Sequence, residues 1–147
     1  MDKLYTVDDV AMMTELTSRT IRNYLKDGIL KGKKVGVQWR FTEEDIKALF
    51  KDKGVEREIS DNKNKLVLEF LDEKDKGAKS ICSVIDYPGQ DQNQIEQICE
   101  KIICTINNYS ESDRIEFSYQ YFQDEKLARF IIIGSPNLVL ELITIIK

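Results

Sequence analysis

Between Thr6 and Asp27 the chain carries two short helical patterns with only Glu15 and Leu16 left between them. The first pattern opens at Thr6-Val7-Asp8-Asp9, a hydroxyl followed three residues later by an acid, which is a variant of the capping box. Val7, Val10 and Ala11 then share one helical face. The second pattern starts near Thr17 or Ser18 and runs to Asp27, with Ile21 and Leu25 four apart and facing inward. Gly28 stands where a left-handed residue closes a helix. Two helices joined by so little chain must meet through a tight turn.

The next stretch, Lys33-Lys34-Val35-Gly36-Val37-Gln38-Trp39-Arg40-Phe41, has glycine at its centre and β-favouring residues on both sides, and predicts a short hairpin. Thr42-Glu43-Glu44-Asp45 is a second Thr-x-x-acid cap, opening a helix with Ile46, Leu49 and Phe50 on one face. The order is helix, turn, helix, hairpin, helix within residues 1–51. Residues 52–64 are charged and nearly devoid of large apolar side chains, and are expected to form a linker.

Residues 65–147 alternate differently. Leu66, Leu68 and Phe70 recur with period two, as do Ile81, Ser83 and Ile85, with a polar turn over Asp72 to Gly77 between them. After Pro88-Gly89, a cap at Asp91 to Gln94 precedes Ile95, Ile98, Cys99, Ile102, Ile103 and Ile106, a helical series. Ile115, Phe117, Tyr119 and Tyr121 alternate again, then Leu127, Arg129, Ile131 and Ile133. Ser135-Pro136 forms an N-cap and first-turn pair for a final apolar helix over Leu138 to Ile146. The expected fold class is α+β in two domains: a mainly α N-terminal unit with a short hairpin, and a C-terminal ββα-ββα unit whose sheet buries one face against both helices.

Composition narrows the function classes. Of the 147 residues 41% are hydrophobic and 33% charged, enough apolar material for a core. No apolar run approaches the ~20 residues that span a bilayer, and Met1 to Val10 holds no signal-peptide block, so a cytoplasmic protein is expected. Histidine, the commonest general base and metal ligand, is absent. No phosphate-cradling glycine loop, metal-ligand cluster or nucleophile motif is found, so the expectation is no enzyme, no metal and no cofactor. Cys82, Cys99 and Cys104 lack a paired spacing and read as buried free thiols, with redox sensing as the alternative. The net charge of −4 divides into +2 over residues 1–53 (11 Lys and Arg, 9 Asp and Glu) and −6 over residues 54–147 (11 and 17). The field that attracts phosphate is local, so an acidic whole can still carry a basic binding half.

The helix beginning at Ser18 presents Thr17, Ser18, Arg19, Thr20, Arg22, Asn23 and Lys26 outward. These are the side-chain types that read the major groove, arginine pairing with guanine and asparagine with adenine. Tyr24 can pack its ring inward and give its hydroxyl to a phosphate. The hairpin adds Lys33, Lys34, Gln38 and Arg40 as a wing along the backbone would require. Trp39 is expected to pack under that wing.

Thr20-Ile21-Arg22-Asn23-Tyr24-Leu25-Lys26-Asp27-Gly28-Ile29-Leu30 resembles the recognition helix and exit of the MerR family, in which Thr-Ile-Arg-Tyr-Tyr precedes Gly-Leu. Gly32-Lys33, Gly36, Trp39-Arg40-Phe41 and Glu44-Asp45-Ile46 resemble the wing and following helix of its excisionase-like subgroup. The resemblance covers residues 4–50 and implies a winged helix-turn-helix that binds double-stranded DNA. It implies that Arg19 and Arg22 meet base edges or nearby phosphates, that Tyr24 meets phosphate, and that the wing cations meet the backbone. Asn23 replaces the first tyrosine of the usual pair. No sustained heptad run follows in residues 51–147, although regulators of this family usually dimerise through a long coiled coil.

For residues 65–147 two readings stand. One is assembly into a homo-oligomer, suggested by Leu138, Leu140, Leu142 and Ile145 spreading around the last helix. The other is a small-molecule effector domain, with Tyr87, Tyr109, Tyr119, Tyr121, Phe117 and Phe122 as aromatic lining against ordinary sheet packing. The expected function is a sequence-specific transcriptional regulator. The alternatives are an excisionase-like DNA-architectural factor and a helix-turn-helix used for protein contacts.

Overall fold

The computed structural model describes residues 3–109 and 114–147; the first two positions of the Met1–Val10 stretch lie outside the described residues. The chain divides into two compact units, Met1–Lys65 and Leu66–Lys147. Each is α+β.

In the first unit α1 (Val7–Thr14) and α2 (Ser18–Lys26) are followed by a hairpin of β1 (Lys33–Val35) and β2 (Gln38–Arg40), then α3 (Glu43–Lys51). Both expected capping boxes form: Thr6 with Asp9 and Thr42 with Asp45 exchange side-chain and backbone bonds at each helix start. Helix α2 closes in a Schellman motif. Ile29 N–H donates to Tyr24 O at 2.9 Å, Gly28 N–H to Leu25 O at 3.2 Å, and Gly28 takes φ +77°. Val10, Ile21, Phe41 and Leu49 form the dry centre of this unit. Gly32 is held by sterics, since a Cβ there would stand 2.6 Å from the Phe41 ring.

Two expectations fail at the next element. The charged stretch 52–64 is not a linker, and Leu66, Leu68 and Phe70 do not form a strand. Both belong to one helix, α4 (Lys53–Asp72). Asp52 starts it, its carboxylate accepting from Val55 N–H at 3.1 Å and its carbonyl from Glu56 N–H at 2.9 Å. Val55 and Ile59, four residues apart, are 1% and 4% exposed and enter the first core. Two buried side chains one turn apart suffice to dock a helix rich in Glu, Lys, Arg and Leu, all good helix formers. Period two over so short a run does not distinguish a strand from a helix whose outer face also carries leucine, and Leu68 and Leu71 are indeed exposed.

The second unit therefore reads β3 (Ile81–Pro88), α5 (Gln92–Asn108), β4 (Glu116–Phe122), β5 (Leu127–Gly134) and α6 (Pro136–Ile146) after the end of α4. The sheet is antiparallel with order β3-β5-β4. The ββα-ββα order is corrected to this one: β3 has no hairpin partner before it and pairs with β5, Ile85 opposite Phe130. The face of β5 that joins the helices is Ala128, Phe130 and Ile132. Ile131 and Ile133 lie on the other phase and are also buried. A run apolar in both phases suits a central strand.

Helices α5 and α6 contribute Ile95, Ile102, Leu138 and Leu142, all fully buried, to one cluster with those β5 side chains. The surplus expected around α6 reduces to Leu140, since Leu138 and Leu142 are consumed by their own core. Ile103 of the α5 series is exposed. The rings of Phe117, Tyr119 and Phe130 meet at centroid distances of 6.3 to 6.4 Å, and Tyr87, Tyr109 and Tyr121 pack on the same cluster, so these rings serve the sheet–helix core.

The three cysteines are free, but only Cys99 is buried; Cys82 is half-buried and Cys104 exposed. Burial pushes the Cys99 thiol up to about 12 and raises that of Cys82. Cys99 is thus protonated at every ordinary pH, and the thiolate is the reacting form. Timed alkylation of the native protein at mildly alkaline pH, read by peptide mass, should mark Cys104 first and Cys99 only upon unfolding.

Across β3 and β5 Arg129 grips Asp86 with both nitrogens, Nε to Oδ1 at 2.7 Å and Nη2 to Oδ2 at 3.0 Å. This bond holds the Asp86 carboxyl below the usual carboxylate range. A depressed folded-state value contributes stability above the unfolded value, about 3.9, and loses it as pH falls through the folded one. Acid titration of stability should therefore flatten in that window for Asp86→Asn; an unchanged slope would show that the pair contributes nothing to the fold.

Candidate nucleic-acid interface

The turn between α1 and α2 is held by a non-glycine residue in the left-handed region, Glu15 at φ 59°. Its N–H returns to Ala11 O and Met12 O. From α4, Asn62 donates to its carbonyl at 2.8 Å and Lys63 to its carboxylate at 3.2 Å. Thr14, 1% exposed, gives its hydroxyl to Val10 O at 2.9 Å and accepts from Leu16 N–H at 3.3 Å. The angle at which α2 leaves α1 is fixed by these bonds together with the Val10 and Ile21 contact in the core.

Against that frame the sequence-predicted side chains fall into two sets. Arg19, Arg22, Asn23 and Lys26 are exposed along α2, and Lys33, Lys34 and Gln38 are exposed on the hairpin. These are the groups left to meet a ligand. The α2 hydroxyls are engaged within the chain. Thr17 is the N-cap, accepting from Thr20 N–H at 3.1 Å, its hydroxyl 3.0 Å from that of Thr20. Ser18 donates to Asp8 Oδ1 at 2.8 Å. Their first duty is to start the helix and tie it to α1. Arg40 is half-buried and donates to Trp39 O at 2.8 Å and to Gln38 Oε1 at 2.7 Å, which stiffens the second hairpin strand.

Tyr24 departs from expectation in its hydroxyl. The ring is 6% exposed and packs in the core as expected, but the hydroxyl donates to Glu58 of α4 rather than standing ready for a phosphate. Burial, and then the Glu58 carboxylate, push this phenol upward. Sequence alone does not single out Glu58, which lies in the charged stretch 52–64.

Trp39 is the other correction. It does not pack under the wing: it is 36% exposed, opposite Lys34 in the β1–β2 register, with the Lys34 ammonium 5.8 Å from its ring centroid. The tip is Gly36-Val37, with Gly36 at φ +68° as a two-residue hairpin requires. Val37 is 88% and Val35 57% exposed. The indole is thus only partly covered and stays outside the buried core.

Among the described residues no group of His, Cys, Asp and Glu could hold a metal ion, and no helix is long and apolar enough to cross a membrane.

Tyr24→Phe should keep the fold and lose about 1 kcal/mol, a charge-assisted bond discounted because Glu58 is exposed. Urea unfolding followed through the first unit checks this. A loss near zero would mean that the phenol is equally well solvated by water.

Residues 4–54 match the family described as a helix-turn-helix domain. They form a helix-turn-helix domain, which supports DNA as the partner. The match ends at residue 54 and leaves the second unit without a family. The chain has no significant match among curated proteins or among solved structures.

Proposed function

We propose that this protein is a sequence-specific transcriptional regulator, with α2 as the recognition helix and the β1–β2 hairpin as a wing on the DNA backbone. The observation that carries the reading is the exposed row Arg19, Arg22, Asn23 and Lys26 on a helix whose opposite face, Ile21 and Tyr24, is buried. Arginine and asparagine make the bidentate contacts that tell guanine and adenine from other bases. Lys33 and Lys34 supply sequence-independent attraction to phosphate. The resemblance to the MerR family supports the same assignment. The protein acts in the cytoplasm, and it is not an enzyme. The second unit serves regulation, through assembly of copies or through an effector. A regulator is favoured over an excisionase-like architectural factor because residues 66–147 form a whole further unit with its own core.

Selection of bound duplexes from a random pool, with full-length protein and Arg22→Ala, tests this. An enriched motif is expected. The variant should lose discrimination worth about 1–3 kcal/mol at one base position while still folding. Lys34→Ala should instead weaken all sequences alike and lower the salt slope by about one. Enrichment of bent or flexible sites without base preference would favour the architectural factor. No DNA binding at low salt would leave a protein-interaction module.

A further inference from the structure

Residues 66–147 hold 8 Lys and Arg against 14 Asp and Glu, a net −6. Three of those eight cations, Lys76, Lys79 and Arg114, line a single cavity of about 70 Å³. Its one lining carboxylate, Glu73, is already paired with Arg114, which also holds Glu116 at 2.9 Å. Lys76 is fixed at the wall by donating to Phe70 O at 2.7 Å and to Glu73 O. Among the described residues, the positive charge of this wall is therefore only partly answered. The cavity also reaches Ser135, the N-cap of α6, where a helix presents its positive end.

A second observation is independent of charge. Ser80 lines this cavity, and its buried Oγ has no hydrogen-bond partner among the described residues. A buried hydroxyl without a partner costs free energy, and its usual explanation is a group that completes it. Gly134 in the wall is closely packed: a Cβ there would stand 3.3 Å from Arg114 O and 3.4 Å from the Leu138 side chain. The space exceeds what a single water needs, leaving room for a small oxyanion.

We propose that this cavity binds a phosphate-sized oxyanion, with Ser80 donating its hydroxyl, and Lys79 and Arg114 supplying the charge. It gives the second unit a ligand class, either free phosphate or the phosphoryl group of an organic ester. The proposal rests on the fold of residues 66–147 and not on the DNA-binding reading, so it is tested without DNA.

Full-length protein is titrated with inorganic phosphate and with phenyl phosphate at constant ionic strength set by chloride, followed by calorimetry and by thermal unfolding. Saturable binding is expected, with a raised unfolding midpoint that chloride does not produce. Ser80→Ala removes only the unpartnered oxygen and should fold at least as well, yet bind at least about tenfold more weakly. Lys79→Ala, at an exposed position, should weaken binding as well. Tighter binding of phenyl phosphate would identify an organic ester as the ligand, and equal binding a free ion. Midpoints that follow ionic strength alone, or affinities unchanged in Ser80→Ala, would overturn the proposal.

Discussion

The first unit depends on a turn that has almost no length. Two residues separate α1 from the cap of α2, and the first of them, Glu15, sits in a left-handed conformation that a non-glycine residue adopts at a cost. Such a conformation persists where the surroundings over-determine it. Here they do so from three sides: the returning amide bonds of α1, the Thr14 hydroxyl, and the Asn62 and Lys63 side chains of α4. Helix α4 is thereby part of the same device as α1 and α2. Its Val55 and Ile59 close the core, and its Glu58 takes the Tyr24 hydroxyl. The exposed face of α2, proposed above to read DNA, is fixed from behind by residues on its other side.

The legible part of this unit was written in local signals. Thr6 and Thr42 with their acids, Gly28 after Asp27 and Gly36 in the hairpin each specify backbone geometry within four residues, and each forms as expected. Ile21, Ile46 and Leu49 fall on the buried faces that their spacing assigns. What was not legible needed a partner distant in sequence. Val55 and Ile59 look isolated among charges until the α1–α3 core supplies the apolar surface they cover. The exposure of Trp39 depends on how little hairpin there is to hide it. The hydroxyls of Thr17, Ser18 and Thr20 could serve either a ligand or a cap, and residue type alone cannot say which.

In the second unit the helices were the readable elements and the sheet order was not. The Asp91–Gln94 box and the α5 series give that helix from one window. Phe130-Ile131-Ile132-Ile133 is apolar in both phases, so alternation carries no register there, and the pairing of β3 with β5 spans the whole of α5 and β4. The cavity residues are scattered likewise: Lys76, Lys79 and Ser80 precede β3, Arg114 precedes β4, and Ser135 follows β5. Only the sheet gathers them.

That strand order also sets a schedule. Within this sheet β3 is made first, yet its hydrogen-bonded neighbour, β5, is the last strand to be synthesised. During elongation the eight residues Ile81–Pro88 must wait unpaired while α5 and β4 emerge. The first unit ends at Lys65 and is complete in sequence before this sheet begins. A nascent chain of this protein thus passes through a stage in which the DNA-binding half can be native while an open strand edge is still on offer, and that interval is where a holding chaperone has most to do.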